Sequence, residues 1–390
     1  DSALERAEEV PVQEVQLRAM SIDKHDVCNM QYTSGTTGFP KGVMLTHVGV
    51  GLNGYWIGRN QRFTDEDRVC LPVPLFHCFG CVLGVSACVN HGACMVILEA
   101  YNPLHVLAAV DSERCTALYG VPTMFLAELE HKMFKRFDVS SLRTGIMAGS
   151  VCPEPLMRRV VEDMYMKDIT ICYGLTEGSP VMTQSDPDDP LHLRCETVGC
   201  AMPGIEVRIG DPETCEELPR GEVGEILCRG YNVMKGYYNK PDETDMILRR
   251  HADGQIWAHT GDVGYMDEDG FVYLDSRIKR MIIRHDGFKV FPSMIENVIS
   301  RHPAVHQCSV VGCTDKDHVQ GRLPFVYVVL DPEADKKKRQ IVRELRQLCK
   351  EELPEYVQPV SYKFISEMPM TPVGKVDYRK LEEEITPRDY

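Results

Sequence analysis

Nowhere in the 390 residues does an apolar run approach the roughly 20 that a membrane-spanning helix requires; the longest, around residues 81–89, is far shorter. The sequence therefore reads as a soluble chain. Positive charge is scarce, with 43 Lys and Arg against 58 Asp and Glu and a formal charge of −15. Such a field repels polyanions and argues against nucleic acid as a partner, so a small anionic ligand has to be held by local backbone amides and a few placed cations. Residues 1–16 are polar and acidic with no hydrophobic signal-peptide core, so nothing at this end argues for secretion. The 16 cysteines lack disulfide-framework spacing and are scattered among predicted strands, as at Cys70, Cys172, Cys228 and Cys308. Free thiols in a reducing compartment follow, and with them a cytoplasmic location. No internal repeat is present.

What is there is an ordinary globular balance, 43% hydrophobic and 26% charged residues, in a length that suggests two or three folding units. From residue 27 to about 173, short apolar runs at 27–32, 69–73, 94–98, 116–119, 144–147 and 169–173 alternate with helical periodicity. Asn102 can cap a helix with Pro103 in its first turn, Pro122 can begin another, and Pro153 or Pro155 a third reaching Met164. This is an α/β layer pattern with a largely parallel sheet. After about Val198, short strands at 206–209, 224–229, 256–259 and 271–274, broken by Gly, Pro and acidic turns, predict a β-rich subdomain. A third block opens near Asp275, with strands at 281–284, 307–311 and 325–330. Its helix at 337–351 puts Ile341, Val342, Leu345, Leu348 and Cys349 on one face, which predicts a compact α+β unit.

The densest chemical signal is Tyr32-Thr33-Ser34-Gly35-Thr36-Thr37-Gly38-Phe39-Pro40-Lys41-Gly42. Hydroxyls, glycines and one lysine after a strand supply flexible backbone and donors that can wrap phosphate oxygens. It is not a Walker A loop, because two residues rather than four separate Gly35 from Gly38, and Lys41 comes three later.

This run resembles the signature phosphate loop of the adenylate-forming superfamily of acyl-CoA synthetases, luciferases and peptide-synthetase adenylation domains. Other family motifs follow in order. Tyr173-Gly174-Leu175-Thr176-Glu177 resembles the segment whose aromatic packs on adenine, whose Thr touches the α-phosphate and whose Glu helps hold Mg²⁺, roles that suit a ring face and a carboxylate. Met147-Ala148-Gly149-Ser150-Val151 resembles the strand-end loop bordering adenine and acyl group, with Gly149 leaving room for a ligand. By resemblance, Asp262 in His259-Thr260-Gly261-Asp262 accepts from the ribose hydroxyls, Arg277 reaches the same ribose, and Lys279 falls on the hinge of the mobile domain. Gly287 matches the glycine loop that lines the pantetheine tunnel, although His285-Asp286 stands where many relatives have a further glycine. Pro369-Met370-Thr371-Pro372-Val373-Gly374-Lys375 resembles the segment carrying the adenylation lysine. An ammonium at Lys375 would bridge two anions that otherwise repel in the transition state.

Pro74-Leu75-Phe76-His77-Cys78-Phe79-Gly80 resembles the acyl-pocket motif, with His77 as the matching residue. The Asp that pairs with a substrate ammonium in amino-acid-activating relatives is absent, which favours a plain carboxylic acid. His77, Cys78 and Cys81 have no fourth ligand at convincing spacing for zinc.

The expected fold is a large α/β adenylate-forming domain, residues 1–277, with parallel-sheet layers and a β-rich subdomain, followed by a small mobile α+β domain, 278–390. Family members carry a long segment ahead of the phosphate loop, whereas 32 residues precede Thr33 here, so the chain reads as a fragment of a longer protein. The resemblance implies an AMP-forming acyl-CoA synthetase that uses ATP, Mg²⁺ and coenzyme A on a fatty, medium-chain acid. An aryl or bicyclic acid CoA ligase, or a non-catalytic nucleotide-binding protein, remain the alternatives.

Overall fold

The structure, a computed structural model, describes residues 7, 9–33, 40–149, 152–212, 214–277, 280, 282–284, 289–314, 322–332, 334, 337–371 and 376–385. Its first sheet element is a hairpin: β1 (Val27–Thr33) and β2 (Lys41–Thr46) pair antiparallel with Thr33 opposite Lys41. The β2 half is not apparent in the sequence, where Lys41 and Gly42 read as the end of the loop. The Thr46 hydroxyl then accepts from Gly49 N at 3.1 Å and caps the helix His47–Asn60. That helix contains Gly49, Gly51, Gly54 and Gly58, a poor helical composition. Packing explains two of them, since a Cβ at Gly54 or Gly58 would run into Ser86 or His91 on the adjoining helical segments Phe79–Ser86 and Ala87–His91.

A seven-stranded sheet follows, built from β3 (Arg68–Leu71), β4 (Cys94–Ile97), β5 (Ala117–Gly120), β6 (Thr144–Ala148), β7 (Asp168–Gly174), β8 (Val181–Gln184) and β9 (Cys200–Ala201). Its order is β4-β3-β5-β6-β7-β8-β9; the first five strands are parallel and the last two pair antiparallel. Strand residues alternate between two cores. Val69, Leu71, Ala117, Tyr119, Ile146 and Cys172 enter one cluster, while Cys70, Leu118, Met147 and Ile171 enter the other. That period of two, with both faces apolar, is what a parallel sheet covered on both sides requires. The helices Pro103–Glu113, Pro122–Leu129 and Glu154–Asp163 cover the second face through Val106, Phe125 and Met157. Asn102 caps the first of them as predicted, its Oδ1 accepting from Leu104 N and His105 N.

The other face packs against an antiparallel sheet through Ile205, Ile209, Ile226 and Cys228. This sheet contains β10 (Ile205–Gly210) and β11 (Gly224–Gly230). The two-residue β12 (Gly236–Tyr237) leaves it to pair with β2, and β13 (Leu248–Arg250), β14 (Ile256–Met266) and β15 (Val272–Arg277) complete it. Beyond it, β16 (Ile282–Ile283) and β17 (Lys289–Val290) form a short ribbon, and β18 (Val305–Thr314), β19 (Arg322–Leu330) and β20 (Ser361–Ile365) a three-stranded sheet. The helices Pro292–Ile299 and Lys338–Glu352 pack on that sheet, the second through Ile341, Leu345 and Cys349. Among the described residues, no helix is long and apolar enough to cross a membrane. All 16 cysteines are free thiols.

Asp67 ties the N-terminal ends of the parallel strands together. Its buried carboxylate accepts from Thr64 N at 2.8 Å, Thr116 Oγ1 at 2.6 Å and the Arg143 guanidinium at 2.8 Å. Burial by itself raises the Asp67 carboxyl, but the donors of Arg143, Thr116 and Thr64 outweigh it and hold the group below its ordinary value. A carboxyl depressed on folding stabilises the protein above its unfolded pKa of about 3.9 and loses that contribution as pH falls through the folded value. Urea-unfolding midpoints measured from pH 7 down to pH 3 are expected to fall, and Asp67→Asn to be less stable at pH 7 with a flatter acid limb. An unchanged acid limb in Asp67→Asn would remove this group as the cause.

Candidate active site

The candidate residues gather at the C-terminal ends of the parallel strands, where α/β sheets bind ligands. Gly149 follows β6, exposed and with φ of +93°, a backbone conformation that favours glycine. Gly174 ends β7, and a Cβ there would run into the carbonyl oxygen of Pro180, so only glycine fits this approach. Thr176 and Glu177 stand in the turn immediately after it. The segment 74–80 follows β3. There His77 Nδ1 accepts from Phe79 N at 3.0 Å, which leaves the ring proton on Nε2. The buried Cys78 thiol lies 3.6 Å from Thr176 Oγ1, bringing the predicted acyl motif against the predicted phosphate-contacting turn.

The phosphate-loop candidates Ser34, Gly35, Thr36, Thr37 and Gly38 lie outside the described residues, but both of their anchors are described. Thr33 and Lys41 face each other across the hairpin. Lys41 Nζ sits 4.9 Å from the centroid of the Tyr237 ring, and the Tyr237 hydroxyl donates to Glu177 Oε1 at 2.6 Å. Burial, followed by the Glu177 charge, pushes the Tyr237 phenol well above its ordinary range, so it stays a donor. A cation, a ring and a carboxylate therefore stand in a row beside the hairpin mouth. Glu177 suits a hard cation: Mg²⁺ keeps several waters and takes one or two carboxylates plus substrate phosphates.

A second junction joins the two sheets. Tyr173 OH donates to Asp262 Oδ2 at 2.7 Å, with both residues buried. The sequence reading ends this strand at 259; instead β14 runs on to Met266 and carries Asp262 inside a bulge. Glu225 pairs with Val263 and Leu227 with His259, so the extra residues 260–262 bow out of the ladder, with Gly261 at φ of +70°. Glu225 holds the bulge: Oε1 accepts from Gly261 N at 2.9 Å and Oε2 lies 2.8 Å from His259 Nδ1. Arg277 is the register partner of Asp262 on β15. Thus Tyr173 meets Asp262, whose register partner is Arg277; Cys78 lies between His77 and Thr176; and Tyr237 stands between Lys41 and Glu177. Ser150, Lys279, Gly287 and Lys375 lie outside the described residues.

Sequence reasoning missed Tyr237, Cys78 and Glu225 as site residues. Tyr237 lies 60 positions from Glu177 on a two-residue strand, a connection that no spacing reveals. His259 was within a quoted motif, and an acid on the neighbouring strand was the available clue to its partner.

Residues 1–238 match a family model described as AMP-binding enzyme, and residues 294–375 one described as AMP-binding enzyme C-terminal domain. A putative acyl-CoA synthetase of Bacillus subtilis, YngI, is 47% identical over 95% of this chain and 66% of its own length. A human protein described as medium-chain acyl-CoA ligase ACSF2, mitochondrial, is 34% identical over 95% of this chain and 60% of its own. The crystal structure of ATP-bound MatB from Rhodopseudomonas palustris superposes with a TM-score of 0.83 at 29% identity, over 95% of this chain and 70% of that one. The chain spans less than two thirds of the length of these curated relatives.

The Tyr173 to Asp262 bond has a hydroxyl donating to a carboxylate, a class of contact that contributes about 1.5 to 3 kcal/mol. A double-mutant cycle of Tyr173→Phe and Asp262→Asn, read by urea unfolding, is expected to return a coupling in that range. Additive effects would show that the bond contributes nothing to joining the sheets.

Proposed function

The chain belongs to the AMP-binding enzyme family, and from that premise we propose that it forms most of an ATP-dependent acyl-CoA synthetase acting on a fatty, medium-chain carboxylic acid. The observation that carries the reading is the row of Lys41, Tyr237 and Glu177 beside the Thr33 to Lys41 hairpin. It provides one cation and one carboxylate, the pair needed to hold a polyphosphate and its counter-ion. In the first half-reaction a carboxylate oxygen attacks the α-phosphorus in line; the bond to the β-phosphate bridging oxygen breaks and pyrophosphate leaves. Lys41 and the hairpin amides hold the leaving group. Thr176, at the turn after β7, faces the α-phosphate, and Lys375 bridges the carboxylate and phosphate anions. Glu177 would hold Mg²⁺, which would supply positive charge against the phosphate oxygens.

Tyr173, Gly174, Gly149 and Ser150 border the adenine, and Asp262 with Arg277 takes the ribose. In the second half-reaction the CoA thiol loses its proton and its sulfur attacks the acyl carbon; the bond to the AMP oxygen breaks and AMP leaves. The segment 278–390 turns about Lys279, withdrawing Lys375 and presenting Gly287 to the pantetheine. Three features support the plain-acid substrate. The segment 74–80 has no Asp to pair with an ammonium, half-buried His77 stands beside the turn that carries Thr176, and one relative is described as a medium-chain acyl-CoA ligase. Sixteen free thiols fit a reducing compartment, the cytoplasm being the simplest.

Incubation with Mg-ATP, CoA and a panel of aliphatic and aromatic acids, followed by mass spectrometry, is expected to yield acyl-AMP and acyl-CoA from medium-chain acids. Absence of acyl-AMP from every acid would refute activity of this chain. Lys375→Ala is expected to slow adenylation by roughly 10² to 10³ while sparing thioester formation from supplied acyl-AMP. Equal loss of both half-reactions would overturn the role given to Lys375.

A further inference from the structure

A cluster of potential metal ligands lies on the antiparallel sheet, three residues before Asp262. Cys215 comes from the connection between β10 and β11, His251 from the turn between β13 and β14, and His259 from β14 itself. One ligand atom from each lies within 4.8 Å of the other two. His251 Nε2 is 2.9 Å from His259 Nε2, and Cys215 Sγ is 4.0 Å from the same nitrogen. We propose that Cys215, His251 and His259 form a binding site for a divalent transition cation of the zinc type, with Glu225 as the carboxylate that orients His259.

The distances support it. Tetrahedral zinc, with nitrogen at about 2.05 Å and sulfur at about 2.3 Å, sets roughly 3.3 Å between two nitrogens and roughly 3.6 Å between sulfur and nitrogen. Shifts of about 0.4 Å in opposite senses convert the observed separations into those values. Three protein ligands leave a fourth position for water. The ligand chemistry also fits, since thiolate and imidazole select zinc-like cations over Mg²⁺ or Ca²⁺.

The orientation of His259 is fixed independently of any ion. Glu225 Oε2 accepts from His259 Nδ1 at 2.8 Å, and Glu225 is itself buried and held by Gly261 N. The proton is thereby kept on Nδ1 and the Nε2 lone pair is aimed into the cluster, the carboxylate-histidine arrangement found behind metal ligands. Cys215 occupies a left-handed backbone conformation, φ of +62°, which a residue with a Cβ adopts at a cost.

Charge completes the case. Arg208 contacts His251 Nδ1, and it also lies 3.6 Å from Asp253 Oδ2 and 3.9 Å from the Trp257 ring centroid. In the loaded site the Cys215 thiolate, Glu225 and Asp253 would set three negative charges against the one positive charge of Arg208, and the dication would cancel the remainder. On loading, the Cys215 thiol gives up its proton to solvent, the His251 proton moves from Nε2 to Nδ1, and Arg208 turns onto Asp253 and Trp257. One proton is released for each cation bound.

Cobalt(II) titrated into the metal-free 390-residue chain tests the site. The expected result is one equivalent bound with a thiolate-to-cobalt charge-transfer band and the intense visible bands of four-coordinate cobalt, both removed by Zn²⁺. Cys215→Ser should abolish the charge-transfer band, and Glu225→Gln should weaken affinity by about 10- to 100-fold. His251→Ala, also expected to lower affinity, gives an independent reading should Cys215→Ser fail to fold, and far-ultraviolet circular dichroism checks each variant. No charge-transfer band in the unaltered chain, or a band that survives in folded Cys215→Ser or at full affinity in folded His251→Ala, would overturn the proposal.

Discussion

The hydrogen bond from Tyr173 to Asp262 joins the two layers on which the site depends. Tyr173 comes from the end of a central parallel strand and Asp262 from a bulge in the antiparallel sheet, and their 2.7 Å contact is buried. Neither layer supplies the candidate site alone. The parallel sheet contributes Gly149, Gly174, Thr176 and Glu177 at its strand ends; the antiparallel sheet contributes Asp262 and Arg277 as register partners. The two-residue β12 makes the third connection, delivering Tyr237 to Glu177 while its backbone pairs with β2. Strands from three directions thus converge at the C-terminal ends of the parallel sheet.

How much of this was legible depended on range. The parallel strands show as short apolar runs because both of their faces are buried, and the Asn102 cap shows because a side-chain oxygen before Pro103 has one obvious use. The helix His47–Asn60 did not show, since its four glycines depress local propensity, and two of them, Gly54 and Gly58, serve a contact with Ser86 and His91 some thirty residues on. Gly261-Asp262 looks like a turn for a related reason. A bulge and a turn ask for the same positive-φ glycine, and only the register with β11 separates them. The site motifs were legible through their resemblance to a family; their partners Tyr237 and Glu225 were not, being brought in by sheet pairing and tertiary packing.

The cysteines divide along the same line between packing and chemistry. Burial pushes the Cys172 and Cys228 thiols up to about 12, so these side chains act as small apolar groups in the core. Cys78 is buried too, yet it stands between His77 and Thr176 and fixes how closely the 74–80 segment approaches the turn after β7. Cys215 differs from all three, half-buried on a connection and facing two imidazoles instead of apolar side chains.

Glu225 links that cluster to the candidate nucleotide site. One of its oxygens holds the Gly261 amide in the bulge that aims Asp262, and the other sets the tautomer of His259. The carboxylate cannot shift toward one side without changing its geometry on the other. Any ligand that draws His259 by a few tenths of an ångström therefore pulls on the same group that holds the bulge, and any ligand that orders Asp262 restrains His259. Binding energies connected through one shared group are coupled reciprocally, whatever the sign. The bulge thus serves two purposes: it breaks the β11 ladder to present an acid to one side, and it leaves a buried carboxylate with an oxygen to spare for the other.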